Sequence, residues 1–120
     1  VKVLDLDGSL KRMGGDHDLF RGLAEYFFLD APPLVDRIQT ALERGDAEQV
    51  ERAAHSVKGL AANFGADFVV KAAARLEELG KRAALENSAS ALGELRAQLA
   101  TLLEQLQEYR RPLTDKEASA

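Results

Sequence analysis

Apolar residues recur every third or fourth position along four stretches of this chain, and that period restricts it to packed helices. Leu19, Phe20, Leu23, Phe27, Leu34, Val35, Ile38 and Leu42 mark the first stripe. Val50, Ala53, Ala54, Val57, Leu60, Ala61 and Phe64 mark the second. Val69, Ala72, Ala73, Leu76, Leu79 and Ala83 form the third, and Leu92, Leu95, Leu99, Leu102, Leu103 and Leu106 the fourth. Capping signals divide them. Asp7 is placed to cap a short first helix that reaches Met13 and stops at Gly14-Gly15. Asp16 caps a long helix that Pro32-Pro33 interrupts, so that either the helix kinks or a second segment starts at Asp30. Gly45-Asp46 ends one helix and starts another, with Gln49 in capping-box spacing. That helix is expected to end near Gly65, the next to run from Asp67 to near Ala84, and the last to open at Asn87-Ser88. The fold expected is all-α: an up-and-down four-helix bundle in residues 1–112, with a short extra N-terminal helix over one end. Residues 113–120 lack periodicity and read as a disordered C-terminal tail. The Leu-rich last helix reads as bundle core rather than coiled-coil seam, because its strong pattern lasts only about three turns.

Composition narrows the function classes. At 120 residues the chain is one domain with room for a core. There is no cysteine, which removes disulfides and thiolate metal sites and fits the cytoplasm. A net charge of −4 with mixed signs argues against a nucleic-acid surface. No apolar run approaches the roughly 18 residues that span a bilayer, and no signal-peptide pattern appears at the start.

The second stripe carries the chemistry. His55 lies roughly 160° from its centre, and Gly59 about 160° away on the other side. Lys58 flanks the stripe near 100°, within reach of whatever the imidazole holds. A glycine inside a helix costs about 1 kcal/mol relative to alanine. A bare position beside an exposed imidazole leaves space for a phosphoryl group or a partner's surface, and Ala62 on the same side is also small.

The run His55-Ser56-Val57-Lys58-Gly59-Leu60-Ala61-Ala62-Asn63-Phe64-Gly65-Ala66 resembles the H-x-x-K-G signature of histidine-containing phosphotransfer domains. The likeness extends to Leu4-Asp5-Leu6-Asp7-Gly8, Gly14-Gly15-Asp16, Phe27-Phe28-Leu29-Asp30-Ala31-Pro32 and Ala41-Leu42-Glu43-Arg44-Gly45-Asp46. It implies a phosphocarrier of a multistep two-component relay. His55 would take a phosphoryl group from a receiver-domain aspartate on the ring nitrogen farthest from the backbone, and pass it to another receiver. Lys58 would contact the phosphoryl oxygens, and Gly59 would give steric access. Helical geometry puts Glu48, Glu51, Arg52 and Ala62 around the imidazole as the partner-binding face. The partners implied are receiver domains of response regulators or hybrid sensor kinases, with Mg²⁺ on the receiver. The chain itself is expected to bind no cofactor, metal, nucleic acid or membrane, and to be a monomer. No Gly-rich nucleotide loop is visible, so it is not expected to act as an enzyme that phosphorylates itself from ATP. A free shuttle and a module of a hybrid histidine kinase both fit.

Two other functions compete. One is a helical adaptor that binds its partner without phosphate. The other is a histidine-kinase dimerisation hairpin, which typically carries an acidic residue straight after the histidine, where this chain has Ser56. Elsewhere the signals are weak. His17, beside Asp16 and Asp18, reads as a solvated helix N-terminus rather than a metal site. Glu77-Glu78 reads as the solvated face of its helix, with no pocket implied. Arg110-Arg111 is too short for a nucleic-acid patch.

Overall fold

Acidic side chains start the first three helices. Asp5 accepts from the Gly8 amide at 3.0 Å and opens α1, Leu6–Arg12. Asp16 accepts from Leu19 at 3.0 Å and opens α2, His17–Arg44. Asp46 accepts from Gln49 at 3.2 Å and opens α3, Ala47–Ala62. Each bond satisfies an amide that the helix leaves without a partner. Helix α4 spans Asp67–Lys81 and α5 Ser88–Leu106, with short 3₁₀ turns at Leu85–Asn87 and Gln107–Tyr109. This computed structural model describes residues 2–110, so the tail expected at 113–120 lies outside it.

The four long helices pack in a ring, α2 on α3, α3 on α4, α4 on α5 and α5 on α2. Short connections make successive helices run up and down. The core is built from the expected stripes. Phe20, Phe27 and Phe64 meet edge to face, with centroids 5.7 Å apart for Phe20–Phe64 and 5.3 Å for Phe27–Phe64. The N-terminal segment closes one end of the bundle. Gln105 accepts from the amides of Val3 and Leu4 at 2.9 and 2.8 Å, and the Asp5 amide donates to the Phe64 carbonyl at 2.9 Å. Near the end of the described chain Arg110 makes two 2.9 Å bonds to the buried carboxylate of Glu25 and lies 4.1 Å over the Phe28 ring. Arg110 is thus a packing residue.

Several boundaries depart from the sequence expectation. The cap of α1 is Asp5, because Asp7 already lies in the first turn. No new segment opens at Asp30: α2 stays helical through Pro32 and Pro33. Each interior proline costs about 3 kcal/mol. Phe27, Ala31, Val35 and Ile38 are all buried across the interruption, and burying each of the larger ones contributes about 1.5–3 kcal/mol. Helix α3 stops at Ala62, and a turn with Gly65 at φ +57° completes the reversal. Helix α4 stops at Lys81, so Ala83 is exposed instead of lining the core. Leu19, in the first turn of α2, is 45% exposed.

Candidate functional site

On α3 the periodicity turns Val50, Ala53, Ala54, Val57 and Ala61 into the core and leaves His55 outside. The His55 side chain is 67% exposed. Its Nδ1 lies 2.6 Å from Oε2 of Glu77 on α4. The other oxygen of the same carboxylate, Oε1, accepts from Lys58 Nζ at 2.5 Å. Only 9% of the Glu77 side chain is exposed, so one buried carboxylate holds both residues of the motif from beneath. Its charge is stabilised there: the hydrogen bond from Lys58 foremost, with that from His55, holds the Glu77 pKa below the ordinary carboxylate value, against burial.

The carboxylate fixes the imidazole. An ionised carboxylate only accepts, so Nδ1 must carry the ring proton. In the neutral ring Nε2 is then the unprotonated nitrogen, on an exposed side chain. A neutral imidazole so oriented is a nucleophile.

Glu77 overturns the expectation of a solvated Glu77-Glu78 pair. Glu78 is exposed and pairs with Arg82, but Glu77 is buried. The signal lay in the helical wheel. Glu77 is about 40° from Ala73 and 60° from Gly80, at the edge of the buried stripe, where a carboxylate needs a cationic partner. The partners sit 19 and 22 residues away in sequence, beyond local pattern reading. Lys58, read from the sequence as a flank residue within reach of the imidazole, is bonded to Glu77.

Around the imidazole, Glu48 and Arg52 are exposed and ion-paired to each other one turn apart. Glu51 is half-buried, Ala62 exposed. A Cβ placed on Gly59 would meet nothing within 4 Å. Beside Gly59 a depression opens between α3 and α2, lined by Ser56, Gly59 and Leu60 on one side and Leu29, Asp30, Pro33, Leu34 and Arg37 on the other. Leu29 is 50% exposed there. His17 is exposed and remote from this site in the first turn of α2; among the described residues no cluster of metal-ligating side chains forms.

The Hpt domain model matches residues 22–109. Among solved structures the chain resembles the crystal structure of histidine-containing phosphotransfer protein B (HptB) from Pseudomonas aeruginosa PAO1. The TM-score is 0.83 at 25% sequence identity, covering 94% of this chain and 99% of that one. No curated protein matches the chain.

Proposed function

The chain belongs to the Hpt domain family and is a phosphocarrier of a two-component phosphorelay, and we propose that it carries the phosphoryl group on Nε2 of His55. The observation that supports this site is the 2.6 Å contact between His55 Nδ1 and the buried Glu77 carboxylate. Hpt domains act with receiver domains, whose aspartyl phosphate supplies the group. The Nε2 lone pair attacks phosphorus. The N–P bond forms as the P–O bond to the aspartate breaks, and the electron pair leaves on the aspartate oxygen. Nδ1 keeps its proton throughout, so the ring gains positive charge as the bond forms. Glu77 faces that charge from 2.6 Å and stabilises it. The reverse step, onto a second receiver, runs through the same arrangement.

Phosphoryl transfer depends mainly on positioning and charge neutralisation. Lys58 has three donors, so it can contact the phosphoryl oxygens while keeping Glu77. Gly59 and the depression beside it give the receiver its approach, with Leu29, Pro33, Leu34 and Leu60 as apolar contacts. Glu48, Glu51 and Arg52 form a charged rim on the other side, and Ala62 keeps that flank low. In this reading the chain brings no nucleotide site and works as a monomer in the cytoplasm. Mg²⁺ and the acidic pocket belong to the receiver.

Incubation with a phosphorylated receiver domain tests the reading. The protein should acquire an acid-labile, base-stable phosphate that maps to His55. His55→Gln should abolish uptake with helical content intact; full transfer to that variant would mean the wrong site. An adaptor that works without phosphate would take up none in either form. Glu77→Gln should slow transfer by about 10- to 100-fold, the worth of one charge-assisted hydrogen bond of roughly 1.5–3 kcal/mol.

A further inference from the structure

Two glycines sit inside the helices that build the site, and their surroundings are opposite. Gly59 on α3 opens to space. Gly80 on α4 is buried, and a Cβ there would lie 2.7 Å from the Glu51 backbone nitrogen, 2.8 Å from the Ala47 carbonyl oxygen and 3.0 Å from the Glu51 Cα. All three are backbone atoms of α3, so no side chain can swing aside. Gly80 is not among the positive-φ residues, so space rather than backbone conformation demands glycine.

The position of this contact matters. Glu51 lies one turn before His55 on α3, and Gly80 about one turn after Glu77 on α4. The helices run antiparallel, so the Glu51–Gly80 contact is the rung next to His55–Glu77. We propose that Gly80 is a positioning residue for phosphoryl transfer: its missing side chain sets the α3–α4 spacing at which one carboxylate reaches both His55 and Lys58. This rests on the assignment of His55 and Glu77 to the transfer site. A real Cβ essentially never comes within 3.0 Å of such an atom, so any side chain at residue 80 forces the helices apart. Close-packed helices move as bodies, so the gap opens at the adjacent rung as well. One carboxylate makes both Glu77 bonds, at 2.6 Å to His55 and 2.5 Å to Lys58, so a wider seam lengthens the two together.

The test is a double-mutant cycle on the full chain, reading transfer from a phosphorylated receiver at saturation and the ¹⁵N spectrum of the His55 ring. Gly80→Ala should slow transfer about tenfold and convert the single Nδ1–H tautomer into a mixture. Combined with Glu77→Gln it should add nothing, because Gly80 acts through Glu77. Leu102→Ala, buried in α5, serves as a destabilised control and should leave the ring spectrum native. A native spectrum and rate for Gly80→Ala overturn the proposal, as do effects that multiply in the double variant or an equal spectral change in the control. Should Gly80→Ala fail to fold, Glu77→Asp withdraws the carboxylate by one methylene without touching the seam. It should reproduce the mixed tautomer, and a native spectrum there is equally fatal. Slow Glu77→Gln with unaffected Gly80→Ala overturns Gly80 alone. Wild-type transfer by Glu77→Gln overturns the Glu77 role, and phosphate on His55→Gln overturns the site itself.

Discussion

A single carboxylate shared by a histidine and a lysine organises the chemistry at the scale of residues. His55 and Gly59 were legible in the sequence because both sit opposite an apolar stripe, and exposure needs only the helical period to be read. Glu77 was not. Its burial is a property of two helices together, and the charged residue beside it, Glu78, does face solvent. The shared carboxylate also changes what Lys58 does. The ammonium neutralises Glu77; in the proposed phosphorylated state it would have a second anion within reach. Lys58→Ala should slow transfer by roughly three- to thirty-fold, the effect of one charge-assisted contact in the barrier. Stopped-flow kinetics at saturating receiver check this. An unchanged saturating rate would leave Lys58 a partner of Glu77 only, and a total loss would make it indispensable.

At the scale of elements, local chemistry set most boundaries and packing overrode it where the two conflicted. Asp16 and Asp46 cap their helices as their spacing implies. The proline pair in α2 reads as a break, yet the buried stripe on both sides carries the helix through, a balance that no window of a few residues contains. The end of α4 holds a residual conflict. Ala83 adopts φ +53°, and the next amide, Ala84, donates to the Leu79 carbonyl at 2.9 Å in a helix-terminating turn suited to glycine. Ala83→Gly should therefore stabilise the fold by about 1 kcal/mol, read as a raised urea midpoint with unchanged slope. Gly59 gives the opposite case, since its surroundings are open. Gly59→Ala should gain up to about 1 kcal/mol of helix stability. Gly59→Gln should fold as well and impede docking, and an unaltered transfer rate for Gly59→Gln would remove the steric role.

For the whole molecule, two buried carboxylates set the response to acid. The hydrogen bonds from Arg110 hold the Glu25 pKa below 4.5, as those from Lys58 and His55 do for Glu77. A carboxylate with a depressed folded pKa stabilises the fold above its unfolded pKa, and that contribution is lost as pH falls through the folded value. Thermal stability should thus fall below about pH 4.5, and Glu25→Gln or Glu77→Gln should each flatten part of that slope. The two sites are on separate helices with no common partner, so their effects should add. A pH series of melting curves decides it: parallel curves for wild type and both variants would mean other groups govern acid unfolding. The openness of His55, at 67% side-chain exposure, has a consequence in time rather than in space. A surface that admits a receiver admits water on the same side. With phosphate on His55, as proposed, the exposed N–P bond would meet water from the side on which a receiver approaches. The domain is a courier with a running clock, and a receiver must meet it before hydrolysis erases the message.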